Sequence, residues 1–470
     1  MFRLKNKRLT RIVGSLEEEG VLFEDQTLAQ MFELGIDIVR IKLSSSNYKV
    51  YTSLINKVYN VAGDKNAIVG VILDIPSAHR ILKTPGDLNV SAGEPLYFST
   101  DPSDEEAYRV NALGEGVVVG ASVVFGEEVS GEVTSVDSQG MHILIKNDGV
   151  IYNGARVYAE GSCKLENNFS EKQLRDLEFC SEANVDFISV GFSEENFEEE
   201  LKVVSEKIKN KKIKILCRVE TAISRNRLEE MVEVCDGIII ARCPMGAEMP
   251  IQRICTYQKE IVNLCSQKAK PVVVSGHVLG SLRNLPYPLR ADACDVYNGV
   301  LDGIDGFVLS SDILREDTWR NALEMITNIL ETAEGDIDPR STFQKIWLPM
   351  KKPSVAEAIA SSAVKTCIEL EGTFILCLAQ MGRAPRMIAK YKPPMPIITV
   401  SSLLRTAQQC LINRGTVPLL GDVSDYRRAL GNSVEDLRPY CKPGSTVVVV
   451  TEWPDNAKHL NEQMGVLNIE

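Results

Sequence analysis

Short apolar runs recur along this chain, and most are followed by a segment with helical spacing of apolar positions. The runs near Arg11–Ser15, Asp37–Leu43, Ala67–Asp74, Val185–Val190, Lys212–Val219, Asp236–Ala241, Pro271–Ser275 and Asp305–Leu309 read as strands. Amphipathic segments such as Glu171–Ala183 and Leu201–Lys209 lie between them. Strand and helix in alternation predict a parallel α/β fold, and eight such units predict a TIM (β/α)8 barrel. Chemistry on that fold belongs at the carboxyl ends of the strands.

One connection breaks the rhythm. Between His79 and Ala159 the pattern becomes short β runs, Gly116–Val124, Ser130–Val136 and His142–Ile145, separated by Gly, Asn and Asp turns. This predicts an inserted β-barrel-like domain at 80–159, splitting a barrel domain made of 1–79 and 160–336. The Gly114–Gly120 stretch has the wrong glycine spacing for a dinucleotide fingerprint and no helix after it. After Gly335 a helical pattern over Ser354–Leu370 leads to strand-like runs at Thr373–Leu378, Ile397–Val400, Val417–Leu420 and Thr446–Thr451, with a last one at Gly465–Glu470. These predict a carboxyl-terminal doubly wound α/β domain at 337–470.

Composition narrows the functional classes. A net charge of -12 and a pI near 5.2 argue against broad nucleic-acid or anionic-membrane binding. The acidic run Glu194–Glu200 reads as the solvated start of a helix. No apolar run approaches a bilayer span, and the first residues start no signal peptide, so a soluble cytoplasmic protein is expected. Its 12 cysteines are scattered without a CxxC pair, and its four histidines lie far apart. Structural thiols therefore fit better than a redox or zinc site. The glycosylation patterns at Asn89 and Asn168 carry no weight without a secretory signal.

The segment Asp236-Gly237-Ile238-Ile239-Ile240-Ala241-Arg242-Cys243-Pro244-Met245-Gly246-Ala247-Glu248-Met249-Pro250 reads as a buried strand running into a tight turn and a helix. It resembles a segment of the pyruvate kinases, which carry Gly-Asp where Cys243-Pro244 stand. The stretch Arg290–Gly303, the strand Asp37–Ser44, the strand Lys212–Thr221 and the Gly382-Arg383-Ala384 turn resemble other landmarks of that family, in the same order. The resemblance implies phosphoryl transfer from phosphoenolpyruvate to ADP in glycolysis, with magnesium and potassium as cofactors. Such transfer needs cations clamping the moving phosphoryl group and the enolate, and a proton donor for the enolate carbon.

Carried over position by position, the resemblance makes Arg40 the phosphate-binding arginine and Arg80 the nucleotide-contacting one. Arg218 stands in place of the phosphate-bridging lysine, keeping the charge but not the ammonium's shape. Glu220 matches one magnesium ligand, and Pro244 replaces the other. Proline has neither a carboxylate nor an N–H for the substrate carboxylate. Ser44 and Asp74 match two potassium ligands, while Lys42 and Ile75 replace two more. Lys42, beside Asp74, is positioned to supply the ion's charge. The segment after Asp74 is one residue shorter than in the family, which removes its lysine and glutamate. Gly276, in Ser275-Gly276-His277, replaces a threonine implicated in enolate protonation, and His277 offers a possible proton relay. Phe125-Gly126-Glu127-Glu128 replaces the nucleotide-closing Val-Asp-Asp-Gly.

The effector turn is changed too. Ala379–Pro385 lacks the family's hydroxyls, and Thr451-Glu452-Trp453 places a carboxylate where a sugar phosphate would sit. The expectation is a maintained fold with a dismantled site: a pseudoenzyme serving as a scaffold, structural or regulatory subunit. No cofactor is expected to bind tightly and no sugar phosphate to act as effector. The family's tetramer implies a homo-oligomer or a place in a larger assembly. The rival expectations are a slow pyruvate kinase using Arg218 and Glu220, and a binder of another anionic metabolite at Arg40 and Arg218.

Overall fold

The computed structural model describes residues 8–16, 24–77, 80–99, 108–110, 117–126, 129–137, 139–153, 155–159, 169–349, 352–452 and 463–469. Eight parallel strands close into one barrel: Arg11–Leu16, Ile38–Lys42, Gly70–Asp74, Phe187–Gly191, Lys214–Val219, Gly237–Ala241, Val272–Ser275 and Gly306–Leu309. Each of the eight apolar runs read from the sequence is a barrel strand. Side chains alternate along a strand, so each strand sends one set inward and one outward. The outward set packs on the surrounding helices. The inward set builds a layer from every strand: Val13, Ile38, Ile72, Phe187, Leu216, Ile239, Val273 and Val308. Leu411 and Ile412 of the carboxyl-terminal domain join this layer and close the barrel base.

Charge ties the two domains together there. Asp37 takes Arg8 at 3.0 Å and Arg11 at 3.1 Å, and Arg11 Nε reaches the carbonyl of Asn413 at 3.0 Å. Gln408 donates to the Val69 carbonyl at 3.2 Å.

The insert is a closed antiparallel barrel with one parallel pair, beginning with strand Arg80–Lys83 and ending with Arg156–Ala159. The first of the β runs read there is shorter than the sequence suggests, Ser122–Phe125 rather than Gly116–Val124. Val118 and Val119 are exposed on a turn that Gly120 closes with φ of 90°, so β propensity lost to turn geometry. The carboxyl-terminal sheet runs in the order Thr416–Leu420, Ile397–Ser401, Phe374–Leu378, Ser445–Thr451, Gln463–Ile469. It is parallel except for its last, antiparallel edge strand. Ser354 caps the helix Val355–Glu369 by accepting from the Glu357 amide at 3.2 Å. The acidic run does open a helix, Phe197–Lys207, but Glu200 is not solvated: it turns inward and accepts from the Ser193 amide at 2.7 Å.

One buried carboxyl sets a pH dependence. Asp186 accepts from the Val71 amide and the Tyr59 hydroxyl, each at 2.9 Å, and burial pushes its pKa up to about 7. Arg405 lies near enough only to temper that shift. Between about pH 4 and pH 7 the unfolded chain releases this proton while the folded chain keeps it, so stability falls as pH rises through that window. Asp186→Asn keeps an acceptor for both donors and removes the titration. Thermal melts are expected to show a flatter stability profile from pH 4 to 7, with the variant favoured at pH 8 by on the order of 3 kcal/mol. Parallel profiles of variant and wild type would contradict this.

Candidate active site

Two residues above the apolar layer, the inward positions become Ser15, Arg40, Asp74, Ser189, Arg218, Ala241, Ser275 and Ser310. Two further on they include Lys42, Pro76, Glu220, Cys243, His277 and Asp312. The strand period of two thus carries the barrel interior from hydrocarbon to charge at its carboxyl end. A cavity of about 420 Å³ opens there, roofed by Gly126 and Tyr158 of the insert. Its lining holds the cations Arg40, Lys42, Arg218 and Arg283 and the carboxylates Asp74, Glu220 and Asp312.

The centre of the site is an internal ion network. Arg218 is 5% exposed and distributes its fork among protein acceptors. Its Nε donates to Glu220 at 2.9 Å, and one terminal nitrogen pairs with Asp74. The other donates to the Ile75 carbonyl at 2.9 Å and to Ser77 Oγ at 2.7 Å. Asp74 also pairs with Arg40, which reaches Ser15 Oγ at 3.2 Å. Ser77 in turn donates to the second oxygen of Glu220. Burial would raise the Asp74 carboxyl, but Arg218 and Arg40 overcome it and hold the group well below the usual carboxylate range. Burial alone would lower Arg218, and Asp74 and Glu220 instead raise it above an ordinary arginine.

Gly191 makes room for this network. A Cβ there would sit 2.4 Å from Ser77 Oγ and 2.7 Å from Glu220. The segment after Asp74 delivers Ser77, a participant that its sequence position alone did not mark.

The segments around Pro244 and Gly276 also interlock. Pro244 is the third residue of the short helix Arg242–Glu248, where a missing N–H costs no helical bond. Gly276 has φ of 95°, and a Cβ there would lie 2.8 Å from Cys243 Sγ and 2.9 Å from the Cys243 amide nitrogen. Arg242 holds this turn, donating to the Gly276 carbonyl at 2.8 and 3.0 Å and pairing with Asp295 at 2.6 and 2.7 Å. His277 lines the cavity with φ of 54°.

The donor set fits neither family metal. Both oxygens of Glu220 and both of Asp74 accept from protein donors. Ser44 does not join Asp74: its hydroxyl lies 3.3 Å from the Tyr51 hydroxyl, outside the cavity lining. Among the described residues no cluster of three or more His, Cys, Asp or Glu forms. Lys42 is the register partner of Asp74 and lines the same cavity. Adding potassium beside an ammonium is electrostatically disfavoured. Exchanging potassium for sodium is therefore expected to leave the melting temperature unchanged, and a potassium-specific rise would show that the ion site survives. The nucleotide contact expected of the Arg80 side chain lies outside the described residues, as do Glu127 and Glu128.

In the carboxyl-terminal domain, Glu452 lies across the Ala379–Pro385 turn. Its carboxylate accepts from the amides of Met381 at 3.3 Å, Gly382 at 3.2 Å and Arg383 at 3.1 Å. Burial raises its pKa and these amides restrain the rise. The protein's own carboxylate thus occupies the free amides of this turn. Trp453 lies outside the described residues.

Comparison with known proteins settles the lineage. A family model described as "Pyruvate kinase, barrel domain" matches residues 7–317, and one described as "Pyruvate kinase, alpha/beta domain" matches residues 357–466. The chain belongs to the pyruvate kinase family. It is 28% identical to a pyruvate kinase of Dictyostelium discoideum over 481 residues, covering 98% of this chain and 94% of that one. It is 27% identical to pyruvate kinase 2 of Trypanosoma brucei brucei over 448 residues, covering 90% and 89%. A solved pyruvate kinase of Cryptosporidium parvum shares the fold with a TM-score of 0.87 at 22% identity, covering 99% of this chain and 97% of that one. Among the described residues no helix is long and apolar enough to cross a membrane.

Proposed function

We propose that this member of the pyruvate kinase family has a dismantled active site and works in the cytoplasm as a scaffold, structural or regulatory subunit. The observation that carries the reading is the Arg218 fork. A residue meant to grip a phosphoryl group must present donors to the cavity, and Arg218 gives its donors to Asp74, Glu220, Ser77 and the Ile75 carbonyl. That arrangement also occupies the carboxylates that a divalent ion needs. The test is a coupled pyruvate-release assay with phosphoenolpyruvate, ADP, magnesium and potassium.

The rival reading, a slow pyruvate kinase, draws on Arg218 and Glu220 lining the same cavity. It requires substrate and metal to break the network on binding, and it predicts measurable pyruvate release. A binder of another anionic metabolite predicts no pyruvate but ligand-induced thermal stabilisation.

Surface action implies assembly. Leu285, Tyr287 and Leu289 are 42%, 68% and 54% exposed beside the helix Arg290–Asp302. The edge strand Gln463–Ile469 exposes Met464 and Val466. Such surface suits a homo-oligomer or a larger assembly. Light scattering is expected to give a mass at a multiple of 52.0 kDa, or native extracts to yield a stable complex. A monomer with no recovered partner would remove the support for this role.

A further inference from the structure

A second cavity, of about 510 Å³, opens at the other end of the barrel, where its base meets the carboxyl-terminal domain. One wall comes from the helix Tyr48–Asp64 and the residues leading into the strand Gly70–Asp74. The other comes from the helix Leu404–Cys410 and the strand Thr416–Leu420. Sites for small molecules commonly measure about 300–1,000 Å³.

Small residues keep the space open on the barrel wall. Ala62, Gly63 and Ala67 lie there, and a Cβ added at Gly63 would meet no atom within 4 Å. On the other wall, Leu404 and Leu420 are 50% and 55% exposed. Their hydrocarbon lines a concave site instead of packing into a core, which is the surface an apolar ligand covers.

The polar groups are few and mostly committed. The Tyr59 hydroxyl donates to Asp186 at 2.9 Å, and Asn184 Oδ1 accepts from Arg405 at 2.6 Å. Gln408, 8% exposed, donates from Nε2 to the Val69 carbonyl at 3.2 Å. That bond fixes the orientation of the amide and leaves Oε1 without a partner among the described residues. An enclosed acceptor left unpaired is costly, so a ligand donor at Oε1 is favoured. Among the described residues that line the cavity, none is charged. A charged ligand group entering it would lose water without gaining a counter-ion in the wall.

We infer that this cavity binds a neutral, largely apolar small molecule whose hydrogen-bond donor meets Gln408. Such a ligand touches both domains at once and so strengthens their docking. The inference does not depend on whether the barrel mouth is catalytic.

The test titrates the full chain with N-phenylnaphthylamine, a neutral apolar fluorophore with one N–H, following fluorescence and melting temperature. The wild type is expected to show saturable enhancement at one site per chain and a rise in melting temperature. Anilinonaphthalene sulfonate, the same skeleton with a charge, is expected to bind at least about tenfold more weakly. Gly63→Phe and Ala67→Trp fill the cavity and are each expected to weaken the neutral probe at least about tenfold. Gly63→Ala is expected to fold at least as stably as the wild type, since alanine favours a helix, and to keep the probe. Gln408→Leu is expected to weaken the probe several-fold while leaving phenylnaphthalene, which lacks the N–H, equally able to displace it. No saturable binding by the wild type overturns the inference. So does binding that survives both Gly63→Phe and Ala67→Trp, or a sulfonated analogue that binds as tightly as the neutral probe.

Discussion

Purified protein supplied with phosphoenolpyruvate, ADP, magnesium and potassium is expected to release pyruvate at least about 10⁴-fold more slowly than an ordinary pyruvate kinase. Loss of one preorganised electrostatic donor costs roughly 10²–10³ in rate, and loss of a general acid roughly 10²–10⁴. On the proposed reading, Pro244 stands where the family has a magnesium carboxylate, Gly276 where it has a threonine and Arg218 where it has the phosphate-bridging lysine. Such losses do not add, so 10⁴ is a conservative floor. Pro244→Asp alone is not expected to restore turnover, because Glu220 remains tied to Arg218 and Ser77. Gly276→Thr should fail as well. A side chain at 276 meets Cys243, so the turn must move before the hydroxyl can be placed. Turnover within about a hundredfold of an ordinary pyruvate kinase would sink the dead-site reading.

The barrel and the carboxyl-terminal sheet were legible because apolar runs and two-residue alternation are local signals. Inward residues on the eight strands follow from that alternation once one buried layer is placed, and Ser15, Arg40, Asp74 and Arg218 fall two residues beyond it. What each charged group does was not legible. Arg218 read as a retained cation, yet its partners come from three separate segments of the chain, at Asp74–Ser77, Ser189 and Glu220. Ser44 read as a potassium ligand, but the Tyr51 hydroxyl captures it from the next helix. The Glu452 placement was legible, because a carboxylate facing a turn rich in free amides has an evident partner.

Arg218→Met is expected to be among the most destabilising single changes in the barrel, by roughly 3–5 kcal/mol. The side chain is nearly isosteric along its stem, so packing is largely conserved, and the loss is electrostatic. Asp74, 1% exposed, and Glu220, 7% exposed, would be left in the interior without their shared counter-ion. Arg40 still reaches Asp74, so Glu220 becomes the more poorly compensated of the two. Adding Glu220→Gln to Arg218→Met should therefore recover part of the loss, and a double-mutant cycle should report coupling above 1 kcal/mol. The pH profile separates this from a packing defect. Asp74 is held below its unfolded pKa, so its stabilisation is present above about pH 4 and is lost as pH falls toward the folded value. The gap between wild type and variant should be widest near neutrality and narrow toward pH 3. A gap that stayed constant across that range would assign the loss to packing and remove the claim that Arg218 serves as the site's internal cation.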